Sequence, residues 1–406
     1  MKRDVLTLFS TLSLLACDKP KPVDAGIPDA SLSGDPAESC AADEGVIIPT
    51  PDSHSDYRSW GFDRYAEVVA PNGNPIRIFA ETGVTDEQVH RARNVLRWFL
   101  TDVPGSTYGT NKAAVANAMA DNGATLMLPA GAHEEGEEPP FDAQPLFQDE
   151  MTVEGGDWYM NNDWDHRDAT FEEIFHLVHD AGIGTWLPGA LPEYQAELLS
   201  EAEAAIADGR WGIPVDPGVS DWLDELAEED SLAQEYIASV IDSYYGYWGA
   251  FPEDGGMWGI YIAGTRDEVA AMDPAGQALL EAFLPTTANY EARLASEFSG
   301  TFSMRFDASK AYTHKSQYLT WVTLTGDNPS GITGNAADNW LRGNSADNVL
   351  DGGEGEDTAV YCQAASEYSI ERTEDGLTVD GPDGTDTLSS IEWIAFSDGT
   401  VATSDL

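Results

Sequence analysis

The chain has 406 residues, 42% of them hydrophobic, with 12 Trp, 15 Tyr and 14 Phe; this is enough apolar mass for two or three packed domains and excludes a disordered acidic tail. Asp and Glu number 72 against 20 Lys and Arg, a formal net charge of -52, so the surface repels polyanions and nucleic acid is excluded as a partner. Most of these carboxylates read as a solvated surface balanced by cations or concentrated salt.

Residues 1 to 17 read MKRDVLTLFSTLSLLAC: Lys2 and Arg3 precede an apolar run, Val5 to Ala16, that is too short to span a bilayer. This is the pattern of an export signal. Its ending, Leu14-Leu15-Ala16-Cys17, resembles the lipobox of bacterial lipoproteins, which implies lipidation of Cys17 and a place in the bacterial cell envelope, periplasmic or at the cell surface. From 18 to 45 the chain is rich in Pro, Asp, Ala, Ser and Gly without apolar periodicity, as expected of a flexible linker. Cys40 and Cys362 remain as a possible disulfide in an exported chain.

Residues 46 to 326 read as an α+β domain, mostly helical in its second half. Ile76 to Ala80 and Ala124 to Leu128 are strand-like, and Thr85 to Leu100 places Val89, Ala92, Leu96 and Phe99 at helical spacing behind a Thr85/Gln88 capping box. Further helices are expected over Glu193 to Asp208, Asp221 to Tyr244 and Ala275 to Phe283. The aromatic cluster Tyr244, Tyr245, Tyr247 and Trp248 fits an aromatic core, a hydroxyl donor near a site, or a carbohydrate-binding surface.

The histidine-bearing stretch Thr170 to Asp180, TFEEIFHLVHD, puts Glu172, His176 and His179 on one helical face and Phe171, Ile174, Phe175 and Val178 on another. Thr170 and Glu173 also have capping-box spacing, so a purely structural helix accounts for the pattern too. Glu-Glu-x-x-His resembles the His-Glu-x-x-His helix of zincin metallopeptidases with Glu172 in place of the first His. Pro192 to Glu197 resembles the second helix of Glu-zincins. The resemblance implies zinc held by His176 with Glu172 or His179 and with Glu193 or Glu197, Glu173 as general base, and a peptide or protein substrate. The alternative is a non-catalytic surface binding or adhesion protein.

After Tyr312 the composition turns to Gly, Asn, Asp and β-branched residues. GNAADNWLR (334 to 342), GNSADNVLD (343 to 351) and GGEGEDTAV (352 to 360) repeat with a period of nine, each a turn followed by a short strand. Glycine there is expected to supply positive φ, and the sixth position a side-chain oxygen. The segment resembles the haemolysin-type (RTX) calcium-binding repeats, which implies an all-β calcium roll over 327 to 361 and a β-rich cap over 362 to 406. It implies that calcium is bound by Gly334, Asn335, Asp338, Asn339, Gly343, Asp347, Asn348, Gly352, Gly353, Gly355 and Asp357. The Gly334 and Gly352 turns are expected on one edge, with about one well-formed site between them.

Overall fold

The computed structural model describes Cys40 and residues 46–133, 141–214 and 216–406. The signal at 1 to 17 and nearly all of the 18 to 45 linker lie outside these residues. The fold is mixed α/β with a strand-rich C-terminal region.

In the first half the chain builds one sheet in the order β1 (Ile48–Pro49), β2 (Arg64–Val69), β3 (Pro75–Ala80), β4 (Thr125–Leu128), β5 (Gln144–Pro145). The pairs β1 to β3 are antiparallel, and β3, β4 and β5 are parallel. The helices of seven residues or more are α1 (Asp86–Leu100), α2 (Ala113–Asp121), α3 (Thr170–Val178), α4 (Pro192–Ala207), α5 (Pro217–Glu228), α6 (Leu232–Tyr244), α7 (Arg266–Met272) and α8 (Pro274–Glu281).

Helix α1 starts as its sequence dictates: Thr85 Oγ1 accepts from the Gln88 amide at 3.2 Å, and the Gln88 side chain accepts from the Thr85 amide at 3.1 Å. Its stripe of Val89, Ala92, Leu96 and Phe99 is wholly buried, each larger side chain contributing roughly 1.5–3 kcal/mol. The segment Asp221 to Tyr244 is not one helix. Asp230 sits at φ 58°, a left-handed conformation that stops α5 and lets the chain restart as α6. Helix α6 is buried all round, which sequesters Glu235 and Asp242 with its apolar residues.

The C-terminal strands alternate between two six-stranded sheets. One runs β6 (Ala288–Arg293), β8 (Leu319–Thr323), β10 (Trp340–Arg342), β12 (Thr358–Val360), β16 (Trp393–Phe396), β17 (Gly399–Ala402). The other runs β7 (Gly300–Ser303), β9 (Ser330–Thr333), β11 (Val349–Asp351), β15 (Gly384–Ser389), β14 (Leu377–Gly381), β13 (Ser369–Arg372). Pairs from β6 through β16 and from β7 through β15 are parallel, and the outer additions are antiparallel. Inward residues stack in register: Val322, Leu341, Ala359 and Ile394 on one sheet, Ile332, Leu350 and Leu388 on the other, all at most 1% exposed. The two-sheet region begins at Ala288, before the composition change after Tyr312 and the expected boundary at 326, because β6 and β7 carry no Gly/Asn repeat.

A buried ion network fastens the two halves. Arg91 of α1 binds Glu154 through Nε at 3.1 Å and Asp168 through both Nη atoms at 3.0 and 2.8 Å, and Tyr290 of β6 donates to Glu154. Asn94 adds a bond to the Glu291 carbonyl at 3.0 Å. Cys40 and Cys362 form a disulfide across a sequence separation of 322 residues. Among the described residues, no helix is long and apolar enough to cross a membrane.

Candidate functional site

Helix α3 packs against α6, and that contact assembles the site. The start of α3 differs from the capping-box expectation. The cap residue is Ala169, and the Thr170 amide is satisfied by Asp168 Oδ1 at 3.2 Å instead. Asp168 outcompetes Glu173 because it already lies there, fixed by Arg91. Glu173 is therefore spared a capping task; its Oε2 accepts from Gln144 Nε2 of β5 at 2.7 Å.

One turn on, Glu172 and His176 of α3 meet Glu235 of α6. All three are buried, and one ligand atom from each lies within 4.8 Å of the other two. His176 Nε2 is 3.5 Å from Glu235 Oε1, and His176 Nδ1 is 3.6 Å from Glu173 Oε2. Neither the His176 Nε2 atom nor Glu235 Oε1 has a hydrogen-bond partner, an expensive condition for buried polar atoms. Two carboxylates and an imidazole, with His176 Nε2 and Glu235 Oε1 unpartnered, form a group that could hold a metal ion.

Charge balance points the same way. Glu150, Glu172, Glu173, Glu235 and Asp242 interact electrostatically around Arg167 and His176. Burial pushes Glu235 up to about 8 and Glu150 up to about 7, the latter aided by Glu173. Burial alone depresses His176, but Glu235, Glu173 and Glu172 outweigh it and carry it up to about 10. The carboxylates outnumber the cations, so the cluster needs further positive charge, either protons or a bound cation. Arg167 supplies part of it, reaching Glu172 through Nη2 and Asp242 Oδ2 through Nη1 at 3.1 Å.

The other residues expected at the site lie elsewhere. His179 is fully buried in a π-helical turn, His179–Gly184, and contacts Gln195 Oε1; burial pulls its pKa down to about 4. Glu193 and Glu197 are exposed on α4, and Glu197 accepts from the Tyr108 hydroxyl at 2.9 Å. Glu235, which the sequence did not single out, stands with Glu172 and His176 in the group that could hold a metal ion. The signal for it was present: Glu235 and Asp242 are the charged residues of this helix and lie seven residues apart, hence on one face.

The repeat turns stack as their spacing requires. The turns at Gly334 and Gly352 share an edge, since they join β9 to β10 and β11 to β12, while the Gly343 turn joins β10 to β11 on the opposite edge. That edge also carries the Leu324 to Pro329 turn. Gly353 and Gly355 have φ of 105° and 120°. Gly334 and Gly352 are required for a different reason than positive φ: a Cβ there would lie 1.9 Å from the Gly352 carbonyl oxygen and 2.0 Å from that of Ser390, in the next turn of the stack.

Hydrogen bonds fill the turns. Asn339 and Asn348 each accept from the amide four residues back, Asn335 and Asn344, at 2.8 Å, and donate to Asn335 Oδ1 and Asn344 Oδ1 at 3.0 and 3.1 Å. The ladder continues through Asp357, which accepts from the Asn339 amide at 2.7 Å, and Asp386, which accepts from the Asn348 amide at 2.9 Å. Asp338 and Asp347 accept from the Glu356 and Thr385 amides, each at 2.9 Å. Arg305 bridges the Gly334 carbonyl at 3.0 Å and Asp351 at 3.1 Å. Asp357 Oδ2 is buried without a partner.

No protein-family model, no curated protein and no solved structure matches the chain.

Proposed function

We propose that this protein is an exported, lipid-anchored hydrolase of the cell envelope whose α3/α6 centre binds a divalent metal, with peptide as its substrate. The observation that carries the reading is the convergence of Glu172, His176 and Glu235, in which His176 Nε2 and Glu235 Oε1 are buried without a hydrogen-bond partner. When bound, the metal would polarise a carbonyl oxygen and lower the pKa of water. Glu173 stands next to His176 and accepts the proton of the attacking water; Gln144 holds its carboxylate in place. The sequence from Lys2 to Cys17 supports export and anchoring, and the Cys40 to Cys362 disulfide fits an oxidising compartment.

The C-terminal sheets are proposed as a calcium roll of the haemolysin type, narrowed to the third repeat. Asn339 and Asn348 turn amide donors into their turns, and the carboxylate oxygen buried there without a partner is Asp357 Oδ2. Adding millimolar calcium should raise the unfolding temperature, and Asp357→Asn should abolish the increase; equal unfolding in calcium and in chelator would remove calcium from the account.

One contact favours a second reading, a non-catalytic surface binding protein. Arg167 already neutralises Glu172, so α3 and α6 can be joined by ion pairs alone. Metal content separates the two. The hydrolase reading expects about one equivalent of a transition metal retained through dialysis and lost in His176→Ala. It also expects peptide cleavage that falls about a hundredfold or more in Glu173→Gln, with the metal still bound. Metal-free protein that neither takes up zinc nor cleaves peptides removes the hydrolase reading.

A further inference from the structure

Arg167 stands between the two helices that supply the α3/α6 centre. It lies three residues ahead of α3, and its guanidinium is divided between the helices. Nη2 donates to Glu172 Oε2 in the first turn of α3, and Nη1 donates to Asp242 Oδ2 of α6 at 3.1 Å. Asp242 lies about two turns beyond Glu235 on the same helix. One side chain therefore ties a carboxylate of α3 to the helix that carries Glu235.

Three features give this tie a task beyond joining helices. The first is the state of Asp242. Its side chain is 1% exposed and its Oδ1 is buried without a hydrogen-bond partner, so among the described residues the carboxylate is held through Oδ2. A buried carboxylate satisfied on one side only adds little stability over an apolar residue; what it does here is fix Arg167. The second is an aromatic cover. The guanidinium lies 4.8 Å from the Trp258 ring centroid and 5.8 Å from that of Trp248. Met257 and Trp258 are consecutive non-glycine residues in the left-handed region, at φ 47° and 51°. Such strained backbone is retained where it sets a side chain, and the indole it sets lies against Arg167. The third is the share of Glu172 that is used: Arg167 takes Oε2, which leaves the second carboxylate oxygen for a metal held with His176 and Glu235.

We propose that Arg167 is a positioning residue of the metal centre: its planar fork, held by Asp242 and the Trp258 indole, orients Glu172 and sets α6 against α3 so that Glu235 meets His176. This role rests on the metal reading above. It differs in sign from that of a plain counter-charge. Loss of a positive charge beside a cation site strengthens attraction for the cation, whereas loss of a group that orients a ligand weakens metal binding about 10–100-fold. Lysine keeps the charge but is a point donor without the fork that spans two carboxylates.

Calorimetric titration of the metal-free full chain with zinc, in wild type, Arg167→Gln and Arg167→Lys, tests the role, and the visible absorption of the cobalt(II) form reports coordination geometry. Zinc binding should weaken about tenfold or more in both variants, with the cobalt band altered in each. Trp258→Ala, at a position 41% exposed, should weaken zinc binding in the same direction and decides the matter if the Arg167 variants fail to fold. Tighter zinc binding in Arg167→Gln, unchanged affinity or an unchanged cobalt spectrum in Arg167→Lys, or unchanged affinity in Trp258→Ala overturns the positioning role and leaves the metal reading standing. No zinc bound by wild type overturns both.

Discussion

Lys112 is fully buried, donating to the Phe99 carbonyl at 2.9 Å and lying 4.3 Å from the Phe283 ring centroid. Burial pulls its pKa down to about 7, against a small opposing pull from Asp102. Between that value and the ordinary lysine range the unfolded chain carries the proton and the folded chain does not. Folding stability attributable to Lys112 therefore rises as pH rises from about 7 towards 10 and is lost as pH falls. Wild type minus Lys112→Met, followed as unfolding free energy by denaturant titration, should show that slope. A difference independent of pH between 7 and 9 would mean that the amine stays charged inside the protein. At Arg91, removal of the side chain leaves Glu154 and Asp168 as buried, unpaired carboxylates. Arg91→Met is expected to cost about 3–5 kcal/mol, and a loss below 1 kcal/mol would show that the network is not holding the halves together.

At the scale of elements, the Asn ladder makes the repeat turns rigid. The Asn348 side chain accepts from the Asn344 amide and donates to Ser330 O and Asn344 Oδ1, at 1% exposure. Asn348→Ala should cost roughly 2–4 kcal/mol, since buried donors and acceptors are left unpaired; a loss below about 0.5 kcal/mol in thermal unfolding would contradict the ladder. Much of this architecture was legible in the sequence. Period nine located the turns and strands from Gly334 to Val360, and capping and spacing located α1. What escaped was what has no local signature. Strands β6 and β7 lack the repeat and are recruited by pairing with β8 and β9. The break at Asp230 is a single backbone conformation. At the site, Glu172, Glu173 and His176 were visible because they share one helix, while Glu235 comes from 59 residues beyond His176, 235 − 176, and only the packing of α6 on α3 brings it in. The expected Glu193 and Glu197 rested on helix resemblance, which does not fix which face of α4 turns inward.

For the whole molecule, the Arg91 network and the Cys40 to Cys362 disulfide make the strand-rich region a clamp on the first half and on the start of the described chain. Reduction of the disulfide should lower stability by about 2–4 kcal/mol without altering the α3/α6 centre. The central claim is that Glu172, His176 and Glu235, and not the exposed glutamates of α4, form a metal centre. Calorimetric titration of metal-free protein with zinc tests it most directly, comparing wild type, Glu235→Gln and Glu197→Gln. The account predicts one site in wild type, unchanged in Glu197→Gln and weakened at least about tenfold in Glu235→Gln; loss of the site in Glu197→Gln with Glu235→Gln unaffected, or no zinc bound by any of the three, would contradict it.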